Sequence, residues 1–395
     1  MKYLILLMVF VWSCTPDPIT PPIINPPVVD SDTLALLWSK PLQDVGEETH
    51  SLFTSYGFGN KLYMTSGISL GDDWHFFKLE QSTGTVIDSL SVDHGSILSW
   101  NNEFLHLKSA KHHKVYNQDL SIVLDDEIDR LTTPNSSFYN SLMFRRTKGV
   151  NTSYGAIIMK DSNAPESEWK EILRQEREGM NWRPSLSVPE VEVNVNGDTI
   201  LYYDSYHWDN VDSLGGFQER IDLHAYNMTT GEELWYKEDF TPYKGANGFM
   251  PKVHGDYLYF VGKVSVFCLD KYTGEIVWDR VFVGGEGFLG GNDYFIENDL
   301  LYVRGSVETL RAFDLYTGEV RWTNLTSGSS FNMYVNEDYI IFSTARLYVL
   351  DAKTGEQLYI YDDSRVNSEL TYDPETRRIF AAGIGMMYCF EIPEK

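Results

Sequence analysis

Cysteine is almost missing from this chain of 395 residues, which holds only Cys14, Cys268 and Cys389. So few thiols exclude the disulfide framework that staples small secreted domains. Basic residues are scarce as well: 32 Lys and Arg stand against 57 Asp and Glu, a formal net charge of −25. That balance disfavours nucleic acid and anionic lipid headgroups as partners. After the first 13 residues no apolar run is long enough to span a bilayer as a helix. Neither H-E-x-x-H nor a calcium-loop pattern occurs. Gly67–Gly71 reads G-x-S-x-G, but a nucleophile elbow needs a strand-to-helix turn, and here the segment joins two strands. His112 and His113 are sequence neighbours, which point to opposite faces of a strand and make a poor chelate. Asp72-Asp73 and Asp362-Asp363 read as solvated turns. These residues support no catalytic, metal or cofactor site.

What the chain has in abundance is one frame. Ala312–Trp322 reads AFDLYTGEVRW, Ala225–Trp235 reads AYNMTTGEELW and Cys268–Trp278 reads CLDKYTGEIVW. Val349–Tyr359, VLDAKTGEQLY, keeps the frame and ends in Tyr. Its first half predicts the end of a strand and its second half the next antiparallel strand. D-x-x-T-G is the turn between them, since Asp or Asn bonds its own backbone and Gly accepts positive φ. Repeated hairpins of this kind point to a solenoid or propeller. The motif positions are Ala225, Gly231 and Trp235, then Cys268, Gly274 and Trp278, then Ala312, Gly318 and Trp322, and finally Gly355 and Tyr359. Cys268 and Cys389 fill the small buried slot of the frame and behave as small hydrophobes.

The N-terminus reads differently. Residues 1–13 carry an early Lys and a short apolar run, a signal-peptide pattern ending at Ser13-Cys14. Cys14 is the candidate for lipidation, and more than one acyl chain makes such anchoring stable. Residues 14–32 are rich in Pro and predict an extended tether of roughly 50 Å at ~3.1 Å per residue. Residues 33–395 form the remaining domain. Eight polar turns precede apolar runs, near Asn60, Asn102, Asn140, Asp198, Asp256, Asp299, Asp338 and Glu375. They predict an all-β, eight-bladed β-propeller of four-stranded antiparallel blades, with seven blades as the alternative. The N-terminal strand 34–42 is expected to join the C-terminal blade, where Met386–Ile392 is a third strand with no fourth. Residues 165–178 predict an outer strand, with a short helix as the alternative. The longest insertion, 204–220, reads as a polar loop holding Tyr206, Trp208 and Phe217, a candidate interaction loop.

The frame resembles the tryptophan-docking motif of the quinoprotein alcohol dehydrogenase-like (PQQ-like) β-propellers, strongly from about residue 191 onward. The resemblance implies that Trp235, Trp278 and Trp322 are architectural, each packed on the small residue and Gly peptide of neighbouring blades. The dehydrogenases of that family commonly carry an adjacent Cys pair and a calcium ion held by Glu, Asn and Asp. No adjacent Cys pair exists here, and no ligand set falls on a matching motif. The chain is more similar to the non-enzymatic lipoproteins of the family, such as the propeller lipoprotein of outer-membrane β-barrel assembly. The expectation is a non-catalytic envelope lipoprotein, at the outer membrane of a bacterium, that binds other envelope proteins and needs no cofactor. A surface lipoprotein binding a glycan or small ligand is the alternative, and a quinone-dependent dehydrogenase a more distant one.

Overall fold

The structure is a computed structural model. It describes residues 32–41, 50–58, 61–68, 74–92, 97–101, 104–108, 112–116, 121–127, 132–139, 142–148, 154–161, 170–176, 185–186, 189–210, 217–238, 240, 250–262, 265–282, 294–305, 309–325, 333–344, 346–362, 370–383 and 386–393. Cys14, the apolar leader and most of the Pro-rich segment lie outside the described residues. Among the described residues there are strands and turns and no helix. Among these residues no helix is long and apolar enough to cross a membrane.

The described strands form eight sheets, most of them four-stranded meanders, and nearly all pairings are antiparallel. This is the arrangement expected of a β-propeller. The sheet built from Lys252–His254, Tyr257–Val261, Ser265–Asp270 and Ile276–Val281 is typical. Its two middle strands are near-continuous apolar runs, interrupted only at Ser265 and Asp270, because both of their faces are covered, and Tyr259, Phe260, Val266 and Cys268 are buried. Its outer strand is wetter, with Ile276 and Val277 about half exposed.

Sheets adjoin in chain order through shared apolar clusters. Leu258, Phe260, Phe267 and Leu269 pack against Ile200, Tyr202, Leu223 and Trp235 of the preceding sheet. Cys268 and Trp278 pack against Leu301, Val303 and Phe313 of the following one. The first and last sheets also meet, since Leu62, Phe77 and Leu79 share a cluster with Phe380, Met387 and Cys389.

The N-terminal segment ties into two sheets. Ala35–Pro41 pairs antiparallel with Met386–Glu391. Leu34, Leu36 and Trp38 do not simply alternate toward one face. A bulge between Leu36 and Trp38 leaves Leu36 and Leu37 each 41% exposed while Leu34 is buried. Asp32, read from the sequence as the last residue of the tether, belongs to the fold: Asp32 and Thr33 pair parallel with Tyr359 and Ile360.

The 204–220 insertion differs from its sequence reading. Thr199–Asn210 and Phe217–Asn227 are one long antiparallel hairpin, paired without interruption from Ile200↔Asn227 to Asn210↔Phe217. The polar composition suggested a loop, but alternation of Tyr206, Trp208 and Asn210 with smaller polar residues suits a ribbon equally well. Lys170–Glu176 is a strand paired with Tyr154–Met159, while Trp169 lies outside the described residues.

Candidate functional site

The repeated frame builds the best-defined constellation. In each D-x-x-T-G turn the carboxylate accepts from its own backbone. Asp270 Oδ1 receives Tyr272 N at 3.0 Å, Thr273 N at 2.8 Å and Thr273 Oγ1 at 3.0 Å. Asp314 and Asp351 repeat this, and Asn227 does so with Thr229 N at 2.9 Å and Thr230 N at 3.0 Å. The glycine then adopts positive φ, +69° at Gly274, +67° at Gly318 and +72° at Gly355.

Each tryptophan lies on the glycine of the next sheet. A Cβ added to Gly274 would stand 2.8 Å from Trp235, one on Gly318 2.5 Å from Trp278, and one on Gly355 2.5 Å from Trp322. The indole N–H reaches the same turn. Trp235 Nε1 donates to Lys271 O at 2.9 Å and Trp278 Nε1 to Leu315 O at 3.0 Å. Trp322 is the exception: Tyr302 Oη donates to the matching carbonyl of Ala352 at 3.0 Å, as Tyr259 Oη does to Leu315 O at 3.0 Å, but Trp322 Nε1 is buried without a hydrogen bond. On its own sheet each aromatic sits opposite the small residue, as Trp235↔Ala225, Trp278↔Cys268, Trp322↔Ala312 and Tyr359↔Val349. A register shift follows each pair. The two residues before the aromatic therefore oppose one partner, which explains the exposure of Ile276 and Val277.

The sequence reading missed one copy. Lys78–Asp88, KLEQSTGTVID, has Glu80 in the Asp place and Gly84 in the Gly place, and Gly84 carries φ +66°. Trp38 lies on it, 2.8 Å from an added Cβ, and donates Nε1 to Gln81 O at 3.1 Å. The Ser-Thr-Gly triplet was the available signal. Charged Lys78 in the small slot and Asp88 in the Trp place hid it. Gly231 meets no tryptophan among the described residues, its nearest contact being Tyr226 Oη at 3.7 Å.

Tyr206, Trp208 and Phe217 fall on the long hairpin, paired with Ile221, Glu219 and Asn210. Their side chains lie outside the described part. At the hairpin base is a polar chain, buried at Ser205 and His224 and open to solvent at Glu233. Ser205 Oγ is 2.9 Å from His224 Nε2, and His224 Nδ1 is 3.0 Å from Glu233 Oε1. With Glu233 ionised, Nδ1–H donates to it and Nε2 accepts the Ser205 proton. The distances match a nucleophile, base and orienting acid. Access does not: Ser205 is 2% exposed and the His224 ring is stacked on Tyr203 at 4.7 Å. An acyl carbon has no route to that hydroxyl, so the chain serves to satisfy buried polar groups.

Lysine side chains also link neighbouring sheets. Lys271 Nζ meets Glu192 Oε1 at 2.5 Å across two sheets, and Lys252 Nζ donates to Tyr294 O at 2.5 Å. Burial pushes the Glu190 carboxyl above its usual range. Cys268 and Cys389 are free and buried, and burial raises their thiols to about 11 and about 12. Both are inert at neutral pH. Among the described residues no three His, Cys, Asp or Glu side chains are placed to hold a metal ion.

A family model described as outer membrane protein assembly factor BamB matches residues 219–384. The fold resembles the PQQ-like β-propeller of BamB. The structure of BamB from Moraxella catarrhalis is similar with a TM-score of 0.56 and 12% identity, over 91% of this chain and 100% of that one. Sqt1 from Chaetomium thermophilum, bound to the N-terminus of ribosomal protein L10, gives 0.61 and 11% identity over 92% and 100%. A europium-containing methanol dehydrogenase gives 0.62 and 12% identity over 91% and 93%. At such identities these likenesses carry the fold alone. No curated protein sequence matches the chain.

Proposed function

We propose that this protein is a non-catalytic, lipid-anchored envelope protein whose propeller is a scaffold for binding other proteins. The observation that carries the reading is the match of residues 219–384 to the BamB family model. The likeness to Sqt1, a propeller whose structure includes a bound protein terminus, adds support for protein binding by this fold. In this reading the eight sheets are eight blades of a ring. Ala35–Pro41 supplies the outer strand of the last blade, and Trp38 on Gly84 is the junction from last blade to first. Residues 1–13 are the signal peptide, Cys14 is acylated, and the Pro-rich segment spaces the ring from the outer membrane.

The dehydrogenase alternative draws on the methanol dehydrogenase likeness. The residues do not suit it. The three cysteines are far apart in sequence, so the adjacent pair of those enzymes has no counterpart. The glycan- or ligand-binding alternative draws on the long hairpin, whose Tyr206, Trp208 and Phe217 form a candidate surface.

Membrane fractionation of wild type and Cys14→Ser tests the anchor, with photo-crosslinking in intact envelopes testing the scaffold. Wild type should sediment with membranes and crosslink to a discrete protein, and the variant should be soluble. Equal sedimentation of both, or an absence of protein crosslinks from every face of the ring, overturns the proposal.

A further inference from the structure

Each sheet ends in one outer strand, and the charge on these strands varies in an ordered way around the proposed ring. With the sheets numbered in chain order, the second to the fifth are highly charged on the outside. Ile122–Glu127 holds three charged residues, Lys170–Glu176 four, Glu232–Lys237 three and Ile276–Val281 two. The sixth, seventh, eighth and first sheets are not. Val320–Leu325 holds one, Gln357–Tyr361 none, Ala35–Pro41 one and Val86–Val92 one. Charge is highest at the third sheet and absent at the seventh, which stands opposite it in an eight-membered ring. The three charged residues of the second group are Arg321, Lys40 and Asp88, a balance of one positive charge in a chain whose total is −25.

Apolar side chains fill this weakly charged arc. Leu36 and Leu37 are each 41% exposed, Val86 46%, Ile87 48% and Leu325 46%. Leu358, Tyr359, Ile360 and Tyr361 are partly buried. Exposed apolar residues occur elsewhere on the rim as well, but Ile276 and Val277 have Glu275, Asp279 and Arg280 beside them. Leu36 and Leu37 have Ala35, Trp38 and Ser39. Packing of the ring does not call for the difference, since the outer strands of the second to fifth sheets pair as well with their charges in place.

Where the N-terminal segment joins the fold says what covers the arc. Asp32 and Thr33 pair with Tyr359 and Ile360 of the seventh sheet, and Ala35–Pro41 is the outer strand of the eighth. A lipid on Cys14 therefore holds the ring by its least charged side. A tether of roughly 50 Å permits the ring to stand off but does not impose it. It keeps the arc at high effective concentration beside the bilayer, so weak apolar contacts suffice to seat it. Exposed aliphatic side chains gain by entering the boundary between headgroups and acyl chains. The acidic remainder of the molecule gains nothing there.

We infer that the outer strands of the sixth, seventh, eighth and first sheets rest on the bilayer surface, with Leu36, Leu37, Val86 and Ile87 at the headgroup boundary. This rests on the lipid-anchor reading above and adds an orientation. The ring stands edge-on to the membrane, and its charged arc and both of its open ends are left to protein partners.

The test uses the full lipidated chain in phosphatidylcholine vesicles doped with a spin-labelled phosphatidylcholine that quenches fluorophores near the headgroups. A thiol-reactive fluorophore is placed at Leu37→Cys, at Ile87→Cys or, on the fourth sheet, at Leu234→Cys, a site 45% exposed. Cys268 and Cys389 are buried and do not compete for the label. Labels at 37 and 87 should be quenched about threefold or more over the label at 234. Lys40→Glu with Ser89→Glu, both at exposed positions of the arc, should bring quenching at 37 and 87 down to the level at 234 with the melting temperature unchanged. Equal quenching at all three positions, none at 37 and 87, or quenching that the two glutamates do not reduce overturns the inference. The anchor reading survives each of these results, because the chain still floats with the vesicles. A spectral shift at 37 and 87 without lipid quenching would put a protein on the arc and overturns the inference as well. A chain that does not float with the vesicles sinks both.

Discussion

At the scale of the residue, the turn glycines separate two physical roles that the sequence writes with one letter. Gly255 and Gly318 both have positive φ, +59° and +67°. An added Cβ meets nothing within 4 Å at Gly255 but would lie 2.5 Å from Trp278 at Gly318. Gly255→Ala should therefore cost only the left-handed strain, about 1–2 kcal/mol. Gly318→Ala adds overpacking of about 1–3 kcal/mol and should melt several degrees lower. Equal melting temperatures would mean the Trp–Gly contact is not tight. The tryptophans offer a second comparison. Trp278→Phe removes one of the two donors to Leu315 O, which keeps Tyr259 Oη, whereas Trp322→Phe removes a buried N–H that has no hydrogen bond. Ring volume lost is the same in both, so Trp322→Phe should be the milder by about 1–2 kcal/mol in chemical denaturation.

The turn acids differ in how they respond to pH. Burial opposes ionisation of Asp314, but its hydrogen bonds from Arg321, Thr317 and Tyr316 N prevail and hold the carboxyl below its usual value. A depressed folded value contributes stability above the unfolded value, and that stability is lost as pH falls through the folded value. Asp314→Asn should flatten this part of the acid limb while keeping the turn, because Asn227 already fills the equivalent place. Melting curves through the acid range give the answer. An unchanged acid slope would assign the pH dependence to other carboxylates.

At the scale of the element, the N-terminal segment is the one that reaches furthest. Within ten residues it pairs with Gln357–Tyr361 through Asp32 and Thr33, buries Leu34 among Ile341, Leu347 and Ile392, and pairs with Met386–Glu391. Tyr359, which has no following Thr-Gly turn to lie on, faces Asp32 instead. Deleting residues 33–42 should destabilise the domain as a whole, because it uncovers apolar surface at one sheet and leaves another with a bare outer edge. Deleting 15–30 should leave the melting temperature unchanged. Similar melting of the two deletions would remove the segment from the fold. The frame made its strands and turns legible, since Asp, Thr and Gly act locally. The bulge just before each aromatic was not legible, because it is set by where the indole must lie on the next sheet.

At the scale of the whole molecule, a ring has no terminal unit and an open array has two. Trp38 belongs to the last sheet and lies on Gly84 of the first, whereas Trp235 joins two middle sheets. Truncating a large buried aromatic costs about 3–5 kcal/mol. Trp38→Ala should thus approach Trp235→Ala in its effect, with a single cooperative transition in both. A Trp38→Ala protein that loses only a minor early transition would argue for an open array.

The chain alone determined the hairpins, their turns and the identity of most interlocking residues. D-x-x-T-G closes on its own backbone, and alternating or continuous apolar runs read out sheet burial without reference to distant residues. It also disclosed the pairing need of Met386–Ile392, a third strand ending at Pro393. Tertiary structure decided the rest. Gly84 became visible as a partner only through Trp38, and the 204–220 insertion became a hairpin only through the cross-strand pairing of Tyr206 with Ile221 and Trp208 with Glu219. Contacts between sheets depend on packing across faces, and a sequence records the faces but not which of them will meet.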